Sequence, residues 1–440
     1  MRRWPVIMAT VGLLCITAQS GAAPNAATHF DANSATAAYI ATLSPQAVAR
    51  SDAYFEGGYW LQLGDLLLTL LVAWLLLGTR LSVRMRDWAR QRTQRRWLQS
   101  GLYAIQYLLF TSLVTLPWAA YEGYFREHQY GMSTQNMAGW LGDQCKLLLI
   151  GVLFGALGIS VIYAVIRRAD QAWWLWGSLV VMALLVFQAV ISPVYLEPMF
   201  NKFYPLADGP LKQQILSLAR ANGIPASEVY EFDASRQTTK MSAHVSGLLG
   251  SAQISLNDNL IRRGSPKEVK AVMAHEMGHY VMNHMYKTLV DAGVLIIIGF
   301  ALMAWVYRAM QQVAGRRWGL GDISDEAALP LLVALITLYS FLLTPVQNSI
   351  IRSMEVEADA FGLNAAREPD GFAQAALHLS EYRKMHPGPI EEFVFFDHPS
   401  GWNRIHRAMV WKSENIDAPD IRAYDASHGA PATRGDPTVD

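Results

Sequence analysis

Cysteine and charge are the two things this sequence has little of. Only Cys15 and Cys145 stand in 440 residues, so neither a disulfide framework nor a cysteine-built metal site can be assembled, and the commonest competing zinc chemistry is excluded. Charged residues make up 16% of the chain, and 36 Lys and Arg balance 36 Asp and Glu. A net charge of zero gives no electrostatic case for nucleic acid. What fills the space is apolar: 52% of the residues are hydrophobic, too many for an ordinary soluble enzyme of two or three domains. The composition is that of a membrane protein.

The apolar residues are grouped. Residues 1–23 carry Arg2 and Arg3, an apolar run and then small residues, the profile of a signal peptide or of an uncleaved first membrane helix. Residues 24–58 form a polar, alanine-rich N-terminal segment outside the membrane. Within 59–195 four stretches, 59–78, 102–121, 147–166 and 173–195, approach membrane length, with Trp60, Trp173, Trp174 and Trp176 at their ends as interfacial aromatics. Composition changes near Pro198. Residues 196–286 contain a helical pattern at 211–221 and short strand-like runs at 229–232, 244–249 and 253–256 separated by Gly, Ser and Asp. Two more membrane stretches follow in 287–349, then a second extramembrane part at 350–411, and a polar tail at 412–440 with the composition of disorder.

Chemistry converges on His275-Glu276-Met277-Gly278-His279. On a helix, positions i and i+4 share a face, so both imidazoles reach one ion while Glu276, about 100° round, points at a water on it. Local sequence favours that helix: Ser265 as N-cap, Pro266 at the first position and Glu268 completing a capping box. Met354 to Asp359 offers a second pair on one helical face. Glu355 completes a two-histidine, one-glutamate site, and Asp359 orients a ligand imidazole from behind. That ligand set leaves a position for water, which is the catalytic pattern. One Zn²⁺ per chain is the expected cofactor, with Glu276 as general base. The two membrane stretches between the half-sites return the chain to its starting side, so the halves can meet.

In combination these motifs resemble the type I CAAX prenyl endopeptidases, membrane-embedded zinc metallopeptidases of the thermolysin-like clan. The resemblance rests on the metal motif and on Arg126 to Thr134, Pro198 to Leu206, His284 five residues past the motif, and His398-Pro399-Ser400 followed by Arg404 and Ile405. It covers about 59–411. Ser242-Ala243-His244 and Ile351-Arg352 depart from the family's usual Asn-Ala-aromatic and Ser-Arg. The resemblance implies a polytopic, mainly α membrane protein with a metallopeptidase domain containing a small β-sheet. It also implies a helical chamber within the membrane. His398 and Arg404 are read as stabilising the oxyanion or gripping a substrate carbonyl, the alternative being a capped turn of a soluble domain.

The expected partners are a peptide or protein substrate and the lipid bilayer. Oligomeric state stays open, as do the roles of His284, Asp65 and Asp291. A strand at 242–247 can take an extended peptide as a further strand, or be an ordinary half-buried strand. Two substrate readings compete, turnover of membrane or envelope proteins and processing of lipidated C-termini. The rival class, a scaffold or transporter with a structural metal, has no use for Glu276. Arginines in three short regions, 80–96, 167–168 and 308–317, mark one side as cytoplasmic, which puts the catalytic face in the periplasm of a bacterial inner membrane.

Overall fold

The protein is described from a computed structural model, which covers residues 30–247 and 252–428; the predicted signal segment and the end of the predicted tail lie outside these residues. It is mainly helical. Among the described residues four stretches are long and apolar enough to cross a membrane: Pro45–Gly78, Arg96–Gln129, Met137–Met199 and His284–Trp318. At 63 residues the third is far longer than one crossing needs. It breaks at Asp170, where φ is +45°, and its two parts, Met137–Ala169 and Trp173–Ile191, pack against each other as a hairpin. A further apolar pair, Glu326–Leu342 and Thr344–Ala366, is bent by 54°. The outward faces of these helices carry large apolar residues such as Leu149, Leu153 and Trp305, which suits lipid rather than water. Inside, Leu76, Tyr103, Tyr163 and Tyr307 form the bundle core.

The described part of the predicted 24–58 segment does not stop at position 58. Ser44 caps a 34-residue helix from Pro45 that runs unbroken into the first membrane stretch. At 1.5 Å per residue it is about 50 Å long, well beyond the bilayer core. Its projecting end therefore reaches the catalytic part, where Tyr59 stacks on Phe395 and Phe55 packs on Phe396. Ahead of it, the helix Ala32–Ile40 lies against Gly401–Glu414. The predicted tail is likewise structured at its start. Lys412 is fully buried and donates to both carboxylate oxygens of Asp370, at 3.1 and 2.8 Å, and a helix follows at Pro419–His428. Polar composition misled there because a paired lysine can be buried.

The far end of the Pro45–Gly78 helix gathers the arginine-bearing regions. Arg80 donates to the main-chain carbonyls of Arg316 and Arg317, and Arg167 donates to Glu326 at 2.9 Å. Arg86 pairs with Asp325. All three regions thus share one end of the bundle, opposite the catalytic part.

That part contains a four-stranded sheet of order β1-β2-β4-β3, with β1 Phe203–Pro205, β2 Val229–Phe232, β3 Ala243–Ser246 and β4 Gln253–Asn257. β2 and β4 are parallel, and the other pairings are antiparallel. β1, three residues ending in a proline, is the strand that pattern reading does not reveal. Ile254 and Leu256 of β4 pack with Met273 and Met277 of the helix Pro266–Val281, so the sheet supports the motif helix directly. The bundle is stitched to this unit at the Arg126 to Thr134 signature. Glu127 accepts from the Tyr54 hydroxyl at 2.6 Å and from Lys240 at 2.8 Å, and Ser133 bridges to Thr238.

Candidate active site

Ser265 and Glu268 form the capping box that the sequence anticipates, each side chain accepting from the other's main-chain N–H. The motif helix then crosses Thr344–Ala366 at close range. A Cβ on Gly362 would lie 3.0 Å from His275 N, and one on Gly278 would lie 3.2 Å from Ala358 Cα. Two glycines therefore set the helix separation, and with it the distance between the half-sites.

At that crossing His275, His279 and Glu355 each offer an atom, all within 4.8 Å of one another. His275 Nε2 lies 3.2 Å from Glu355 Oε2, His279 Nε2 lies 3.4 Å from Glu355 Oε1, and the two Nε2 atoms are 3.2 Å apart. Glu355 Oε2 is shut off from solvent, and among the described residues His275 Nε2 is the polar atom it faces. A buried carboxylate with two imidazole nitrogens 3.2 Å apart turned toward it is an arrangement a cation would satisfy, and an N, N, O donor set suits zinc. The site fits the expected metal.

Behind each imidazole stands a support. His275 Nδ1 is 2.9 Å from Asp359 Oδ1. Asp359 is fully buried and accepts from Arg404 through Nε at 3.1 Å and Nη2 at 2.6 Å, and from Arg407 at 2.9 Å. His279 Nδ1 is 2.8 Å from His284 Nδ1, and His284 Nε2 is 3.1 Å from Glu357 Oε2. Arg407, His284 and Glu357 were not singled out as supports by sequence reasoning; the histidine five residues past the motif was the available signal.

Burial works to lower the His275 pKa, but Asp359 and Glu355 outweigh it and hold the imidazolium up at about 9. Burial, with His275 beside it, pushes His279 down to about 4. Glu276 is raised to about 7, first by burial and then by Glu355 nearby. A base poised near neutrality is the expected setting for proton transfer.

His398 comes to the same place, its Nε2 3.3 Å from Glu355 Oε1 and its Nδ1 2.8 Å from Asp397. Arg352 holds the approach to it, donating to the carbonyls of Glu392 and Phe396. Arg404 lies against Asp359 and 3.5 Å from His275 Nδ1, so its main hydrogen bonds are to a ligand's support. A cavity of about 180 Å³ opens beside His275 and Glu276, walled by Met241, Ser242 and Ala243 of the β3 edge on one side and by Phe372, Arg383 and His398 on the other. Asp65 is apart from all this, accepting from Trp118 Nε1 at 2.7 Å; Asp291 also lies outside the site, on the membrane helix His284–Trp318.

Comparison with known proteins agrees with this geometry. Residues 205–412 match the model of peptidase family M48, and residues 28–202 match that of the CAAX prenyl protease N-terminal region, described as five membrane helices. An uncharacterized metalloprotease of Bacillus subtilis, YhfN, is 32% identical over 342 residues, covering 77% of this chain and 80% of its own. CAAX prenyl protease 1 of Saccharomyces cerevisiae is 28% identical, covering 69% and 70%. The crystal structure of S. mikatae Ste24p superposes with a TM-score of 0.71 at 21% identity, over 84% of this chain and 89% of that one. With a metal-ligand cluster on a buried helix crossing, a candidate base in a cavity and these matches along nearly its whole length, the chain belongs to peptidase family M48 and is a membrane-embedded metallopeptidase of the CAAX prenyl endopeptidase type.

Proposed function

We propose that the protein is a zinc endopeptidase in which His275, His279 and Glu355 hold one Zn²⁺ and Glu276 is the general base. The observation that carries this is the convergence of two imidazole nitrogens and a buried carboxylate, all within 4.8 Å of one another, beside Glu276 in a cavity along the edge of β3. Zinc, when bound, supplies Lewis-acid activation of water and of the scissile carbonyl. Glu276 takes a proton from the attacking water and returns it to the leaving amine. Asp359 holds His275 with its Nε2 turned to the ligand cluster, and His284 does the same for His279. His398, supported by Asp397, donates to the developing oxyanion, and Arg404 holds Asp359 while its cavity face meets a substrate carbonyl. An extended peptide adds beside β3 through main-chain bonds, giving broad sequence tolerance.

The substrates we assign are membrane and envelope proteins undergoing turnover. The likeness to CAAX prenyl protease 1 favours a second reading, processing of lipidated C-termini. The arginine end of the bundle faces the cytoplasm of a bacterial inner membrane, which leaves the active site in the periplasm. Alkaline phosphatase fused after Trp411 is then active and a fluorescent protein there dark; the reverse overturns the orientation.

The central test separates metal from base. Glu276→Gln is expected to keep zinc while losing casein or peptide cleavage by several orders of magnitude, whereas Glu355→Ala loses zinc as well. Metal analysis beside the assay decides it, and a fully active Glu276→Gln protein would end the mechanism.

A further inference from the structure

Arg383 stands in the wall of the active-site cavity, and neither the metal cluster nor its supports use it. Its Nη1 is shut off from solvent without a hydrogen-bond partner. Among the described residues its guanidinium makes no hydrogen bond or ion pair. An arginine cannot shed its proton to relieve this, so the fold holds a permanent charge without a direct carboxylate partner at the cavity wall.

The groups within electrostatic reach do not neutralise it. Besides Tyr382 and the like-charged Arg404, Arg383 feels Asp397 and Glu355. Asp397 is engaged by His398 at 2.8 Å. Glu355 lies among three imidazoles, those of His275, His279 and His398. Arg404 is committed to Asp359.

The wall around Arg383 is built. Its main-chain carbonyl accepts from Ser51 Oγ at 3.2 Å, on the projecting end of the first membrane helix. Next to it the Tyr382 hydroxyl donates to the Met241 carbonyl at 3.4 Å, tying this wall to the edge-strand side. Apolar side chains, Met241, Val272, Phe372 and Leu379, share the lining with the polar groups of the site. Arg404 also lines the cavity but is held by Asp359, so Arg383 is the lining arginine left without a carboxylate, beside the reacting centre, where a placed charge acts as a selectivity element.

We propose that Arg383 is a specificity-determining residue that takes a carboxylate of the bound peptide, either an acidic side chain near the scissile bond or a free C-terminus a few residues beyond it. The inference rests on the endopeptidase reading. A planar fork of donors matches a carboxylate through two parallel bonds, and such charge-assisted bonds are about twice as strong as neutral ones. A neutral amide in the same place leaves the buried cation unpaired.

The test uses the full-length zinc-loaded protein in detergent and a series of quenched fluorescent peptides. The parent is uncharged and C-terminally amidated. One set carries a single Glu or its isostere Gln at each position flanking the cleaved bond. A second set ends in a free carboxylate or an amide at increasing distance from it. In the wild type, kcat/KM for the carboxylate member of at least one pair is expected to exceed that of its amide by about tenfold or more, and the pair concerned identifies the source. In Arg383→Gln that ratio falls to about twofold or less with zinc content retained, and Arg383→Lys keeps part of it.

A wild type that cleaves the peptides with no pair separated by more than about twofold overturns the inference and leaves the peptidase reading intact. Retention of the full ratio in Arg383→Gln overturns it as well. Loss of zinc or of cooperative melting in both variants makes Arg383 structural, against the proposal. Failure of the wild type to cleave any peptide would remove the peptidase reading itself, and this inference with it.

Discussion

His275 and His279 sit one turn apart on one helix and face the same carboxylate, yet they are held in different ways. Behind His275 lies Asp359, fully buried, with two arginines on it and the motif and glutamate helices packed around it. Behind His279 lies His284, itself buried, but its onward partner Glu357 is 44% exposed and shared with Lys287. One support is a dry ionic cluster, and the other is a short relay that ends in water. Burial makes the first expensive to disturb, because removing one member leaves the other charges unpaired in a poor solvent. The second ends where water can replace what is lost. Its proton order follows from the ligand: for His279 Nε2 to keep a lone pair, Nδ1–H donates to His284 Nδ1, and His284 Nε2–H donates to Glu357.

The largest effect is expected from Asp359→Ala. Arg404 and Arg407 lose their counter-ion and His275 its orientation, at a cost of about 3–5 kcal/mol in stability together with a loss of metal affinity at or above about 100-fold. Thermal melting and competitive metal titration read both. If this variant binds metal as well as His284→Ala does, the contrast between the two supports is wrong.

Next comes the helix separation on which both supports depend. Gly362→Val places atoms where His275 N already stands at 3.0 Å, and overpacking there is expected to cost about 1–3 kcal/mol with metal loss in parallel. Gly58→Ala is the control, since its added methyl would meet nothing within 4 Å. Equal melting temperatures for the two variants would show that the crossing is not tightly set.

His284→Ala is expected to lower metal affinity about tenfold without loss of fold. His284→Gln recovers part of it, because an amide oxygen can accept the His279 Nδ1 proton. Glu357→Gln changes stability by less than about 1 kcal/mol, as exposed pairs do. A Glu357→Gln protein that loses metal like Asp359→Ala would erase the distinction between dry and wet support.

The smallest effect concerns another half-exposed support of the motif helix. His378 Nδ1 lies 2.9 Å from Glu268, the capping-box residue. The His378 pKa is raised above its ordinary value of 6.5, first by that contact. A raised folded-state pKa means the contribution is complete below 6.5 and fades as pH rises through the raised value. His378→Ala is therefore expected to reduce stability at pH 6 by less than about 1 kcal/mol, and by less still at pH 9. Chemical denaturation at the two pH values checks the sign.

The candidate metal ligands and their helix were legible because their information is local. A capping box, a proline at the first position and an i, i+4 pair of histidines lie within fifteen consecutive residues, and the 3.6-residue period converts that order into geometry. The apolar stretches were legible for the same reason, since bilayer thickness prescribes their length. Composition also carried the class, through scarce charge and abundant apolar residues.

What lay beyond local order was decided by packing. Nothing around Tyr54 or Tyr59 indicates that the first membrane helix begins at Pro45 and meets the catalytic part; partners at Glu127, Lys240 and Phe395 make that so. β1 exists because Phe203 to Pro205 find Phe232 to Tyr230 across the sheet. Lys412 is buried because Asp370 awaits it, and Arg383 lacks a counter-ion because the nearby carboxylates are engaged elsewhere. Sequence determines which residues can act when their spacing is fixed by one helix. Which charge is paired, which is stranded and which strand edge lies open depends on contacts between residues far apart in the chain, and those exist only once the tertiary structure has formed.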